Sequence, residues 1–245
     1  MIHMQGIINK FVTSVIKGKK VAAEGTLQVT FEVSESVSFK PGQYVFVKLP
    51  KLLYPDDRGG KRQFSINNPP SQSKILTITT RLSDSGFKKT LNELPIGSEV
   101  ELGPIAGVFT LPEDTSEPLV FIAGGIGITP FMSMLSYIEE TGKPYQITLV
   151  YSNRNQASSA YLKELGELTY TLPNLKLILT MTEDNTWAGE KRIIDAKLIK
   201  EYFPNLNDNM YMVVGPPAMV EGVEKALIEA GVNEENIETE NFTGY

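Results

Sequence analysis

The chain changes rhythm near its middle. Up to about residue 112, apolar and polar residues alternate in short stretches rich in β-branched side chains, such as 26-TLQVTFEV-33, 44-YVFVKL-49 and 75-ILTITT-80. Turn-forming residues separate them at Pro41-Gly42, Pro55-Asp56, Asn67 to Pro70, Pro95 to Gly97 and Gly103-Pro104. Period-two alternation between such turns predicts antiparallel strands in a barrel or sandwich. One helical stretch, Phe87 to Leu94, interrupts them.

Beyond residue 118 the apolar runs are continuous: 119-LVFIA-123, 146-QITLVY-151, 175-LKLILTM-181 and 210-MYMVVG-215. Runs without alternation read as strands buried on both faces, hence parallel. Helical segments near 130–141, 159–168, 195–203 and 217–230 lie between them, and a short strand, 236-NIETENF-242, closes the pattern. Pro217 and Gly231 mark the start and stop of the last helix. Ser159 and Asp195 are the expected N-caps of two others. The polar, proline-bounded stretch 112-PEDTSEP-118 reads as a linker. The expectation is a Greek-key antiparallel β-barrel over residues 1–113, followed by a doubly wound α/β parallel sheet over 114–245.

Three strand ends carry candidate chemistry. After Ala123 come Gly124, Gly125, Ile126 and Gly127, then Ile128, Thr129 and Pro130. Glycines let the backbone turn sharply and approach a ligand without a β-carbon in the way. With Thr129 as N-cap and Pro130 at the first helical position, helix N–H groups and the dipole would favour a pyrophosphate. Pro130 stands where G-x-G-x-x-G needs its third glycine, and 149-LVYSNR-154 offers no acid for a ribose. A turn whose glycines serve packing alone is the other reading.

The stretch 62-RQFSINNPP-70 combines a guanidinium fork at Arg62, a flat apolar face at Phe64 and a small hydroxyl at Ser65. Alternation puts Arg62 and Phe64 on one face of the strand. A phosphate clamp beside an aromatic plane suits a flavin, while an ordinary strand with one exposed Arg and one buried Phe is the alternative. In 213-VVGPPAMV-220 another strand ends in a Gly-Pro-Pro turn before a helix. Ligands of open α/β sheets bind at the carboxyl ends of strands, so two such turns could grip one dinucleotide.

Composition narrows the chemistry. The 245 residues contain no cysteine and a single histidine, His3, and carry a net charge of −6. Thiolate zinc sites, iron–sulfur clusters, cysteine nucleophiles and a Ser-His-Asp triad are thereby disfavoured or excluded. No metal site is expected, and an acidic chain is a poor partner for nucleic acid. No run approaches the ~20 apolar residues of a membrane span, and no leader pattern is visible, so a cytoplasmic protein is expected.

Taken in order, 39-FKPGQYVFVKL-49, RQFSINNPP, GGIGITPFMSML, VGPPAMV and 240-ENFTGY-245 resemble the ferredoxin–NADP(+) reductase superfamily along essentially the whole chain. The resemblance implies an FAD- or FMN-binding barrel joined to an NAD(P)-binding α/β domain. It implies a flavoprotein reductase that takes a hydride from NADH or NADPH and passes electrons to an acceptor such as ferredoxin, a small oxidant or a partner protein. By the same resemblance, Arg62 pairs with flavin phosphate, Phe64 lies against the ring or ribityl chain, and Ser65 approaches N5. Gln63, Ile66 and Thr80 belong to the same site. Gly124, Gly125, Gly127, Ile128, Thr129 and Pro130 hold the NAD(P) pyrophosphate, and Gly215, Pro216 and Met219 line the nicotinamide side. Glu240 and Phe242 match a closing E-x-F, and Tyr245 matches a terminal tyrosine that stacks on the flavin. Ser65, Phe242 and Tyr245 form the reacting environment, with no acid or base assigned.

The departures are specific. Val214 stands where the family usually has cysteine. The second flavin phosphate element is shifted, with Gly86, Lys88, Lys89 and Thr90 in 84-DSGFKKTLNEL-94; these favour FAD over FMN. Acidic residues in 180-TMTED-184 favour NADH, although Lys191 and Arg192 could accept a 2′-phosphate. Lys17, Lys19, Lys20, Lys88 and Lys89 offer a possible greeting for an acidic ferredoxin. Two other readings stand beside the leading one: a reductase subunit of a larger electron-transfer complex, with any iron–sulfur relay on another chain, and a nucleotide-binding module without catalysis.

Overall fold

The structure, a computed structural model, describes residues 10–243. Its elements are β1 (Val12–Ala23), β2 (Thr26–Val33), β3 (Tyr44–Lys48), β4 (Lys61–Ser65), β5 (Ile75–Arg81), α1 (Gly86–Glu93) and β6 (Glu99–Ala106). After the change of rhythm come β7 (Leu119–Gly124), a 3₁₀ turn at Gly125–Gly127, α2 (Ile128–Thr141), β8 (Ile147–Asn153), α3 (Leu162–Thr171), β9 (Leu175–Met181), α4 (Ala196–Tyr202), β10 (Met210–Gly215), α5 (Pro217–Ala230) and β11 (Ile237–Asn241). The chain divides into two compact units: one runs to Leu111 and takes in Thr129–Tyr137, and the other comprises Pro112–Ile128 and the chain from Ile138 on.

In the first unit, six antiparallel strands lie in the order β4-β3-β6-β1-β2-β5. Alternate residues point inward, so Val29, Phe31, Val45, Val47, Leu76, Ile78 and Leu102 are buried in one core with Phe87 and Leu91 of α1. The sheet is barrel-like, but no ladder joins β4 to β5. Two consecutive asparagines span the seam instead. The Asn67 N–H donates to Thr77 O at 2.9 Å, and the Asn68 side chain accepts from Thr77 N at 2.7 Å and donates to Ile75 O at 2.9 Å.

In the second unit, five parallel strands lie in the order β11-β10-β7-β8-β9. Neighbours β7 and β10 are the pair at which the winding reverses, the place where open α/β sheets bind ligands. Strands β7 and β10 are buried along nearly their whole length, as their unbroken apolar runs require.

Local signals account for most boundaries. Helix α5 starts on Pro217 and stops at Gly231, whose φ of 108° is open to glycine. Asp195 caps α4, accepting from Leu198 N at 2.8 Å. Ser159 does not cap α3, because a turn intervenes: its hydroxyl donates to Asn155 O at 2.7 Å, and left-handed Tyr161 precedes the helix.

Candidate functional site

Strand β4 carries Arg62 and Phe64 on one face, as their spacing demands: the Arg62 guanidinium lies 5.3 Å from the Phe87 ring and the Phe64 ring 5.9 Å from it. Arg62 is held by its own loop. Its Nη1 donates to the carbonyls of Arg58, Gly59 and Lys61 at 2.8–2.9 Å, and its Nη2 pairs with Asp56. Gln63 is exposed on the opposite face, whereas Ser65 and Ile66 are buried. Thr80 is buried in β5 opposite Leu27.

The loop before β4 clasps α1. A β-carbon on Gly86 would lie 2.2 Å from Pro55 O and 2.6 Å from Tyr54 O, so this position admits only glycine. Thr90 is fully buried and its hydroxyl accepts from Leu53 N at 3.0 Å, a loop anchor rather than an open donor. Lys89 pairs with Asp84 at the surface, at 3.0 Å. Lys88 is buried instead, and burial, followed by the charges of Arg58, Arg62 and Arg81, lowers its ammonium to about 8. Four cations thus gather around the opening of α1. The lysine patch read from the sequence is largely committed elsewhere: Lys17 pairs with Glu32 at 2.8 Å, and Lys19 reaches the carbonyls ending α1.

In the second unit the glycines form a close-packed corner. Gly125 takes φ 54° to open the 3₁₀ turn. A β-carbon at Gly127 would meet Val214 O at 2.3 Å, and one at Gly215 or Gly124 would meet the Met219 sulfur at 2.9 Å. Helix α2 therefore starts earlier than expected, at Ile128 after Gly127, with no side-chain cap. Thr129 is buried inside the first turn rather than capping it, and Pro130 is the third helical residue. Its missing N–H costs nothing there, since the first-turn amides have no intrahelical partner. Pro216 precedes α5 and, like Met219 and Phe242, is half-buried. The Phe242 N–H donates to Gly215 O at 2.9 Å. Tyr245, like His3, lies outside the described residues.

Two polar groups at the carboxyl edge of this sheet have no hydrogen-bond partner among the described residues. One is the whole side-chain amide of Asn153, buried at the end of β8; the other is Glu240 Oε2, on β11 opposite Val214. Burial pushes the Glu240 carboxyl up to about 7. The end of β8 carries an amide, Asn153, where a ribose-binding acid is expected. An asparagine ending an apolar run was its only signal.

Residues 121–225 match the family model described as the oxidoreductase NAD-binding domain. Among solved structures, the Amycolatopsis cytochrome P450 reductase GcoB superposes with a TM-score of 0.81 at 25% identity, over 96% of this chain and 70% of that one. A ferredoxin NADP+ reductase from Neisseria gonorrhoeae, solved with FAD and NADP, shares the fold with a TM-score of 0.77 at 20% identity, over 95% and 98% of the two chains. In its fold and in its NAD-binding segment the chain is similar to ferredoxin–NADP(+) reductase-like proteins. Reductase component 1 of a Comamonas terephthalate 1,2-dioxygenase is 26% identical over 220 residues, covering 88% of this chain and 63% of that protein. The chain thus spans about three fifths of that relative's length. Among the described residues no helix is long and apolar enough to cross a membrane, and no acidic or histidine cluster could hold a metal ion.

The chemistry of both donor sets fits the superfamily's nucleotides. Arg58, Arg62, Arg81 and Lys88 beside an aromatic face suit a phosphate-bearing flavin. The glycine corner and the unpartnered Asn153 and Glu240 groups suit a dinucleotide across the strand ends.

Proposed function

We propose that the chain is a flavoprotein reductase that draws on NADH, holding FAD on the antiparallel unit and the nicotinamide nucleotide on the parallel one, with residues 1–113 and 114–245 as the two functional domains. The observation that carries the reading is the corner at Gly124, Gly127 and Gly215, where a β-carbon on Gly127 would meet backbone and one on Gly124 or Gly215 would meet the Met219 sulfur. When bound, FAD accepts a hydride equivalent from the reduced nicotinamide and releases electrons to an acceptor.

The chain's own residues bind and orient. Arg62 offers a phosphate the N–H groups that its loop leaves open, and Phe64 supplies a half-buried apolar face for the ring system. Ser65, buried on β4 and paired in register with Tyr44, presents a small hydroxyl that admits a planar ring close by. Four cations against one carboxylate, Asp56, favour the two phosphates of FAD over the single one of FMN. The Gly124–Pro130 turn supplies backbone donors to a pyrophosphate. Val214 supplies no thiol, so the hydride partners are aligned by packing alone.

The preference for NADH rests on Arg192. Glu190 chelates its guanidinium through two oxygens and Glu201 adds a third contact at 2.9 Å, so this cation is engaged by its own chain. Lys191 donates to Asn185 O at 3.0 Å, and Asp184 adds negative charge beside the end of β9. A relative named as the reductase component of a dioxygenase supports a separate oxygenase-type protein as the acceptor.

Purified protein is expected to be yellow and to bleach on NADH without oxygen, with NADPH much less effective. Colourless protein that takes up no added flavin would overturn the proposal and leave a nucleotide-binding module in its place.

A further inference from the structure

The carboxylate of Asp56 stands at a junction. It sits in the loop between β3 and β4 with its side chain only 6% exposed. Its Oδ2 accepts from Ser85 Oγ at 2.7 Å and from Phe87 N at 2.9 Å, closing the start of α1. Its Oδ1 accepts from Arg58 N at 2.9 Å and pairs with Arg62. The Phe87 N–H first, then Ser85, Arg58 and Arg62, hold it well below the usual carboxylate range, so it is charged whenever the protein is folded near neutrality.

A guanidinium has five N–H donors. In Arg62 the loop carbonyls engage Nη1, and Asp56 engages one N–H of Nη2. Nε–H and the second Nη2–H are left, two donors that an incoming phosphate can take. Arg62 is only 10% exposed and stands among Arg58, Arg81 and Lys88, so without a counter-charge the cations would push it outward. Asp56 supplies that counter-charge from the loop side while four donors satisfy its own oxygens.

We propose that Asp56 is the positioning residue of the flavin phosphate site, fixing the Arg62 fork and the opening of α1 in one arrangement before the cofactor arrives. The inference rests on the flavin reading above. It differs from a purely structural cap in a way that can be measured, because only a phosphate senses the Arg62 fork.

The test is titration of flavin-free full-length protein with riboflavin and with FMN, which differ by one phosphate, followed by flavin fluorescence. Asp56→Asn should lower the FMN-to-riboflavin affinity ratio about tenfold or more, the scale of one charge-assisted hydrogen bond, while riboflavin affinity stays unchanged. Ser85→Ala removes a helix-side contact of the same carboxylate, and the cap on Lys88 N with it, without touching Arg62, and should lower the ratio far less. An unchanged or increased ratio in Asp56→Asn would overturn the proposal. So would an equal fall for both flavins, or a matching fall in Ser85→Ala. If wild-type protein binds neither flavin, the flavin reading itself fails and this inference with it.

Discussion

A β-carbon placed on Gly127 would stand 2.3 Å from the carbonyl oxygen of Val214. The clash is with backbone, so the β10 end or the 3₁₀ turn must move. Gly124 and Gly215 differ, for their nearest obstacle is the flexible end of Met219. Gly127→Ala should therefore destabilise by about 1–3 kcal/mol in urea unfolding, the usual scale of overpacking. Gly124→Ala should unfold nearly as wild type yet bind NADH more weakly, because its methyl group enters the nucleotide's path. Equal stability losses in both variants would mean that the corner is packing alone.

Lys88 gives the phosphate site a pH signature. With its ammonium lowered to about 8, the charge that attracts a phosphate is present below that pH and fades above it. FMN affinity should fall as pH rises through about 8, by up to about tenfold per pH unit, while riboflavin affinity stays flat. Lys88→Met should flatten the FMN curve as well. A wild-type FMN curve flat across that range would separate Lys88 from the phosphate.

Glu240 gives the protein's stability a second signature. Its folded-state pKa is raised by burial to about 7, above the ordinary carboxylate value of 4.5. The native state thus holds a proton that the unfolded chain releases between those values, and this contribution to stability is lost as pH rises from about 4.5 through 7. Thermal unfolding of Glu240→Gln should show a shallower decline over that window. A slope identical to wild type would show that the carboxyl is not buried as the structure has it.

Arg192 offers a test of coenzyme choice. Glu190→Gln combined with Glu201→Gln removes both counter-charges that engage the guanidinium. NADP+ affinity by calorimetry should then rise about tenfold, with NAD+ little changed. An absence of any gain would place the 2′-hydroxyl away from this segment.

Much of the architecture was legible because each strand and helix announces itself locally. Strands β2, β9 and β10 begin and end where their apolar runs do, and Pro217 and Gly231 bracket α5. The failures share one physical cause, partners distant in sequence or a turn inserted between cap and helix. Thr129 reads as an N-cap only if no 3₁₀ turn precedes the helix. Asp56 reads as one more polar turn residue, since Ser85 and Phe87 lie 29 and 31 positions away. Arg62 was legible as a cation suited to phosphate, but its anchoring by the Arg58–Lys61 carbonyls belongs to the folded loop and leaves no trace in composition.

Helix α1 has eight residues, too few to persist in water on its own. Its opening is closed by a carboxylate from the β3–β4 loop and its exit by the Lys19 ammonium from β1, which donates to the carbonyls of Leu91, Asn92 and Leu94. Both fastenings come from elsewhere in the chain, so the helix cannot form ahead of the strands that supply them. In deuterium exchange its amides should keep time with the slow opening of the sheet rather than fray independently, making this short segment a late-assembling gauge of whether the whole unit is closed.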